Sequence, residues 1–178
     1  YLLKNKKIVQ LKEKKILEQS KLLIEKAKKY SFINYEISNF GKENFFSTHN
    51  IGYWTNKHYL GVGPSAHSFN GKSRRWNISS NTKYIQKIKN NNRYFETENL
   101  TIKKKYNELI FTRIRTIWGV NSKEIQEKFG KSIFIHFMQE IIKWENKKYI
   151  RKEEEIFLLT DLGKLFADQI ASDLFIIN

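Results

Sequence analysis

At 178 residues, with 40% hydrophobic and 15% aromatic side chains, the chain can fill one core of ordinary size or two small ones. It has no cysteine, which excludes disulfides, thiolate nucleophiles and cysteine-held zinc or iron–sulfur sites within these residues, and no apolar run approaches the ~18 residues that span a bilayer. The formal net charge of +15 admits a polyanion partner, nucleic acid or an anionic membrane surface, but the lysines are dispersed along the chain, so the pattern favours solvated faces over one binding stripe.

In chain order, Tyr1-Leu2-Leu3 runs at once into lysines with no small-residue cleavage site, so no signal peptide is expected and a cytoplasmic setting fits. The spacing of Ile16, Leu17, Ser20, Leu23, Ile24, Ala27 and Tyr30 predicts an amphipathic helix over 8–30. Residues 32–38 read as a strand, and helix followed by strand suggests a cut from an alternating α/β fold. Residues 39–57 read as irregular. Tyr59 to Val62 reads as a short strand stopped by Gly63-Pro64, and 66–69 and 74–78 as a hairpin about Asn70-Gly71. Asn81 starts a helix to about Asn91 that buries Tyr84, Ile85 and Ile88. Residues 92–100 lack apolar periodicity and read as a linker.

Thr101 is expected to cap a helix to about Thr116, with Tyr106, Leu109, Ile110, Ile114 and Ile117 inward. Asn121 and Glu124 form a capping-box-like pair for a helix ending near Gly130. A longer helix over 132–146 turns Phe134, Phe137, Met138 and Ile141 inward. A hairpin over 149–159 and a last helix capped by Thr160, burying Leu162, Leu165, Phe166 and Leu174, complete a winged-helix-like order. The expected organisation is 1–80 as an α/β portion, 81–100 as connecting helix and linker, and 101–178 as a mostly helical winged-helix-like domain.

The chemistry-bearing residues concentrate in 49–68. His49 offers an imidazole that can ligate haem iron, and Tyr53 and Trp54 offer flat faces and polar edges for a porphyrin. The alternative is a loop whose aromatics plug the end of a sheet, with His49 bonded to backbone. Gly61-x-Gly63 permits either close approach by a ligand or a tight packing turn. His67 alone reads as a packed histidine, and His58 and His136 carry no assigned role. Glu36, inside an apolar strand, needs a ligand or a partner such as Arg74 or Arg75. No Ser-His-Asp set, Walker loop or His-Glu-x-x-His signature is present.

The string Tyr35-Glu36-Ile37-Ser38-Asn39-Phe40, then His49-Asn50-x-x-Tyr53-Trp54, then Tyr59-Leu60-Gly61-x-Gly63-Pro64-x-Ala66-His67-Ser68, resembles the radical-SAM haem chaperones of the HemW family, relatives of oxygen-independent coproporphyrinogen III oxidase. The resemblance continues through Arg75-Trp76-Asn77 and into the C-terminal module at 147–150 and 159–164. It implies a partial (β/α) barrel that holds a [4Fe–4S] cluster and S-adenosylmethionine, followed by a helical domain. This chain looks like the C-terminal part. The resemblance implies haem binding at His49, Asn50, Tyr53 and Trp54, with His49 as iron ligand. It sets Gly61, Gly63, Ala66 and His67 beside S-adenosylmethionine.

The cluster ligands are absent here, so no catalytic residue is assigned. The implied partners are haem or porphyrin, acceptor haemoproteins and the N-terminal radical-SAM half, with peripheral membrane contact and no specific nucleic acid. Two alternatives are a coproporphyrinogen oxidase and a basic winged-helix nucleic-acid binder using the helix at 132–146.

Overall fold

The computed structural model describes residues 12–177, which divide after Phe46 into two compact units. The expected helix start at 8–11 lies outside the described residues. In the first unit, α1 (Glu13–Lys29) places Lys26, Lys28 and Lys29 in its last turn, where cations meet the negative end of the helix dipole. Leu17, Ser20, Ile24 and Ala27 of the expected stripe are half-buried, whereas Ile16, Leu23 and Tyr30 stay exposed.

The strand expected over 32–38 is instead a hairpin of β1 (Ile33–Glu36) and β2 (Asn39–Gly41), with an irregular register between Asn34 and Glu36. Glu36 explains the turn. Its buried carboxylate accepts from the Ser38 amide at 3.1 Å and from the Asn39 side-chain amide. The acid inside an apolar strand thus satisfies the donors of its own turn, as a buried carboxylate must. Tyr35 is buried and stacks on Phe46 with ring centroids 4.5 Å apart.

The second unit begins with α2 (Thr48–Trp54), which replaces the expected irregular stretch. An antiparallel sheet follows in the order β3 (His67–Phe69), β4 (Ser73–Asn77), β5 (Phe95–Asn99), with α3 (Asn81–Lys89) between β4 and β5. The Asn70-Gly71 hairpin forms as expected. The Asn70 carboxamide accepts from the amides of Lys72 and Ser73 at 3.0 and 2.7 Å, and Gly71 adopts φ +80°. On α3, Tyr84 is half-buried, but Ile85 and Ile88 are 52% and 44% exposed rather than buried.

Two expectations change here. Tyr59 to Val62 is not a strand: Tyr59 makes one bridge to Phe69, after which side chains take the place of the ladder. The Gly61 amide donates to Ser68 Oγ at 3.0 Å and the Gly61 carbonyl accepts from the Asn77 side-chain Nδ2 at 3.3 Å. Residues 95–99, read as linker, are β5. Its pairing with β4 is carried by unlike cross-strand neighbours, Glu98 opposite Arg74 and Thr97 opposite Arg75, not by an apolar alternation. The sheet therefore runs across the boundary placed at 80–81.

Lys104 bonds the Glu98 carboxylate, and this contact holds the Glu98 carboxyl below its ordinary range, with Arg74 adding a smaller effect. A folded pKa below the unfolded one contributes stability above the unfolded value, and that contribution disappears as pH falls through the folded one. Carboxyl-detected NMR titration should show the Glu98 midpoint rising towards an ordinary glutamate in Lys104→Met. The pair is exposed, so the melting temperature should barely change.

The remainder is a winged-helix arrangement. Thr101 caps α4 (Ile102–Arg113) as expected, its Oγ accepting from the Lys104 amide at 3.2 Å. β6 (Val120–Asn121) follows, then α5 (Ser122–Phe129), α6 (Lys131–Asn146), β7 (Ile150–Glu153) and β8 (Ile156–Leu159), with sheet order β6-β8-β7. The Asn121 side chain accepts from the Lys123 and Glu124 amides at 2.9 and 3.2 Å. Glu124 turns outward to Lys128 instead of closing a reciprocal box.

Tyr106, Ile114, Phe137, Ile141, Phe157 and Ile170 lie fully buried between the helices and the small sheet. The Tyr106 hydroxyl donates to the Leu174 carbonyl at 2.9 Å, and burial, helped by Glu140, pushes that phenol well above its ordinary pKa. Thr160 accepts from the Gly163 amide at 3.0 Å, but the turn it caps is a 3-10 helix (Gly163–Phe166) leading into α7 (Ala167–Leu174). Three residues per turn shifts the helical phase. Leu162 and Leu165 are consequently exposed, while Ala167, Ile170, Ala171 and Leu174 are buried.

Candidate functional site

Seven residues carrying a glycine would be a poor isolated helix, and α2 is held by its ends. Ser47 Oγ accepts from the Asn50 amide at 3.3 Å, and Thr55 Oγ1 donates to the Ile51 carbonyl at 2.7 Å. At 3.6 residues per turn, His49, Gly52 and Tyr53 share one face, and Asn50 and Trp54 share the next. His49 and Tyr53 are exposed and meet edge to face, with ring centroids 5.0 Å apart. Tyr53 in turn meets Tyr59 at 4.8 Å. A Cβ added at Gly52 would touch nothing within 4 Å, so the helix is open beside His49. Trp54 is half-buried, and its indole N–H is buried without an acceptor.

This arrangement brings His49 and Tyr53 together as one exposed aromatic surface, with Asn50 and Trp54 on its flank. Through Tyr59, which bridges Phe69, the aromatic chain reaches the end of β3, while His49 and the outer side of Tyr53 stay exposed. The imidazole, the adjoining flat ring and the bare backbone at Gly52 suit a flat, apolar, metal-bearing ligand.

The second group, Gly61, Gly63, Ala66 and His67, forms a clasp. Asn77 donates to the Gly63 carbonyl at 2.9 Å, the Gly63 amide donates to the Tyr84 hydroxyl at 3.2 Å, and the Ala66 carbonyl accepts from the Asn77 amide at 3.0 Å. A Cβ at Gly61 would collide with the His67 backbone, so the close approach that glycine permits is made there by β3 itself. Gly63 needs glycine for its φ of +101°, and a Cβ there would meet open space. His67 is exposed and sits opposite Trp76 in the sheet, the two rings 6.4 Å apart. His58 packs against Gly71 and near Phe69, and His136 lies 3.2 Å from the Leu174 carbonyl.

Residue-type reasoning passed over Gly52, whose open flank appears only once α2 is a helix, and offered Arg75 only as a partner for Glu36, its place on the sheet depending on β5. The remaining signal was the alternation Ser73-Arg74-Arg75-Trp76-Asn77, which puts Arg74 and Arg75 on opposite faces of β4. Arg74 pairs with Glu108, whereas Arg75 lies over the Phe95 ring at 4.4 Å. Among the described residues no group of three or more metal-ligating side chains converges, and no helix is long and apolar enough to cross a membrane.

Comparison with known proteins adds the family context. The HemN C-terminal domain family matches residues 100–166. The heme chaperone HemW of Bacillus subtilis is 31% identical over 154 residues, which is 86% of this chain and 41% of that protein. The heme chaperone HemW of Lactococcus lactis is 30% identical over 135 residues, 76% of this chain and 35% of that protein. Among solved structures, coproporphyrinogen III oxidase (HemN) from Escherichia coli, a radical SAM enzyme, aligns with a TM-score of 0.72 at 12% identity. That alignment covers 93% of this chain and 42% of the oxidase, and it shows a shared fold. The chain thus spans less than half the length of the curated relatives it matches.

Proposed function

We propose, from the premise that this chain is the C-terminal part of a HemW-like protein, that α2 binds haem and that the complete protein passes it to acceptor haemoproteins. The observation that carries this reading is the exposed face of His49, Gly52 and Tyr53. It couples an accessible imidazole to a flat ring and to an empty flank of helix. Haem here is cargo, and exposure suits cargo. A ligand held on a surface helix can be reached by an acceptor without unfolding its carrier, whereas one sealed in a core cannot.

The roles divide by chemistry. His49 would donate a ring nitrogen lone pair to iron, and Tyr53, edge-on at 5.0 Å, limits the rotation of that imidazole. Trp54, half-buried on the flank with its indole N–H buried, would support the helix beneath the ligand rather than bond it. A [4Fe–4S] cluster would take its ligands from the N-terminal radical-SAM half, since this chain has no thiolate to hold one, while Gly61, Gly63, Ala66 and His67 would stand on the S-adenosylmethionine side of the complete barrel. The surface of α6, apolar at two exposed positions beside Ser132, Gln139 and Lys143, weighs against sequence-specific nucleic acid. Its solvent face carries Ile135 and Ile142, 44% and 40% exposed, where a groove-reading helix needs polar and basic side chains.

Haem titration followed in the Soret band tests the reading. The wild-type chain should give a saturable shift, and His49→Ala should weaken binding about tenfold or more. His58→Ala and His136→Ala should leave it within about twofold. Equal losses from all three would mean indiscriminate histidine ligation, and the reading would fall.

A further inference from the structure

The face of the β3–β4–β5 sheet that carries Arg75 is concave, with a cavity of about 340 Å³ bounded by Leu60, Ser68, Ser73, Arg75, Phe95 and Thr97 among others. The cross-strand register makes Ser68, Arg75 and Thr97 one row across the sheet, with Arg75 in the middle. Arg75 Nε is buried and has no acceptor. No carboxylate is among the described residues lining the cavity. Glu96 and Glu98 alternate to the other face, where Glu98 faces Arg74.

A buried guanidinium N–H without an acceptor is costly, and its surroundings add to the positive field. Arg93 also lies against the Phe95 ring, 5.2 Å from its centroid, so one phenyl ring carries two guanidinium groups. Ser68 Oγ already accepts from the Gly61 amide, which leaves its own hydrogen free to donate. Thr97, at the opposite end of the row, is exposed and supplies a second hydroxyl.

We propose that this groove is an oxyanion-binding site, in which Arg75, with Ser68 and Thr97 beside it, receives a carboxylate or phosphate group. Leu60 and Phe95 form apolar walls for the body that carries it. The planar guanidinium favours a two-oxygen face presented in its own plane. The apolar walls favour an organic carboxylate over free phosphate. The site needs no iron and does not rest on the haem reading, although it adjoins that face: Tyr59 lines the cavity and meets Tyr53 at 4.8 Å.

The test is NMR of the full chain labelled with ¹⁵N, following the Arg75 Nε–H resonance. Sodium benzoate and inorganic phosphate are the probes, added separately at constant ionic strength. Benzoate should move the Arg75 signal saturably and bind several-fold tighter than phosphate. The reverse order would still support the site and would identify phosphate as its group. Arg75→Gln should weaken the saturable response of the Ser68 and Thr97 amides by about tenfold or more. Arg75→Lys, which keeps the charge but not the fork, should retain a weakened response. Lys87→Gln removes a cation from α3 and should change nothing. Absence of a saturable Arg75 shift with both probes, or equal loss in Lys87→Gln, would overturn the proposal.

Discussion

Phe137→Ala should lower the unfolding free energy of the second unit by about 3–5 kcal/mol, the cost of removing a fully buried aromatic and leaving a cavity. Phe137 has no exposed surface and meets Phe157 edge to face at 5.5 Å, tying α6 to β8. The cost should fall near the upper end of that range, because Phe157 and the i+4 neighbour Ile141 are themselves fully buried and cannot swing in from a mobile surface. Against a typical total of about 5–15 kcal/mol the loss is large.

Urea unfolding followed by tryptophan fluorescence isolates the effect. All four tryptophans, Trp54, Trp76, Trp118 and Trp144, lie after Ser47 and report only on the second unit. The midpoint should fall with the slope unchanged. Ile135→Ala, on the exposed face of the same helix, should cost about 0.5 kcal/mol or less. Equal losses from the two would mean that α6 does not pack as described.

The winged-helix part was legible because its elements are amphipathic over two turns or more and begin at recognisable caps. Tyr106, Leu109, Ile110 and Ile114 recur at helical spacing, and Thr101 and Asn121 stand where side-chain acceptors are needed. The unread elements are those whose stability comes from partners distant in sequence. β5, Phe-Glu-Thr-Glu-Asn, has no apolar alternation, and its register is set by Arg74 and Arg75 more than twenty residues earlier. β6 has two residues, too few for any periodicity. The phase of the last helix was misjudged at Leu162 and Leu165 because a 3-10 turn intervenes, and apolar spacing alone cannot distinguish the two helical periods over one turn.

The candidate site divides in the same way. His49, Asn50, Tyr53 and Trp54 stood out as residue types, and their resemblance to a family motif gave them a shared purpose. Only the helical geometry of α2 separates His49 and Tyr53 from Asn50 and Trp54 and exposes the open flank at Gly52. At Gly61 the sequence left two readings open, and the collision of a Cβ with the His67 backbone makes packing the immediate reason for glycine. Arg75 could not be distinguished from Arg74 until the sheet assigned one to Glu108 and left the other in the groove.

Gly119→Ala should be comparably severe, at about 2–5 kcal/mol, because two independent costs coincide. Gly119 adopts φ +60°, where a Cβ costs roughly 1–2 kcal/mol. An alanine Cβ would also lie on the Phe157 carbonyl oxygen, 2.9 Å from Leu158 Cδ2 and 3.0 Å from Ile156 Cγ2, an overpacking expected to add about 1–3 kcal/mol. The obstruction is backbone and cannot swing aside. The sheet must yield instead, and the first contact to suffer is the pairing of Val120 with Phe157 and Asn121 with Ile156. Since Asn121 also caps α5, the damage should spread to the start of that helix. Gly130→Ala isolates backbone strain from collision: Gly130, at φ +83° and ψ 173°, lies in a region that is essentially glycine-only, but no atom lies within 4 Å of an added Cβ. Hydrogen exchange should show the Val120 amide and the first turn of α5 losing protection in Gly119→Ala and keeping it in Gly130→Ala. Protection retained at Val120 and the first turn of α5 in Gly119→Ala would mean that the approach of β6 to β8 is looser than the structure shows.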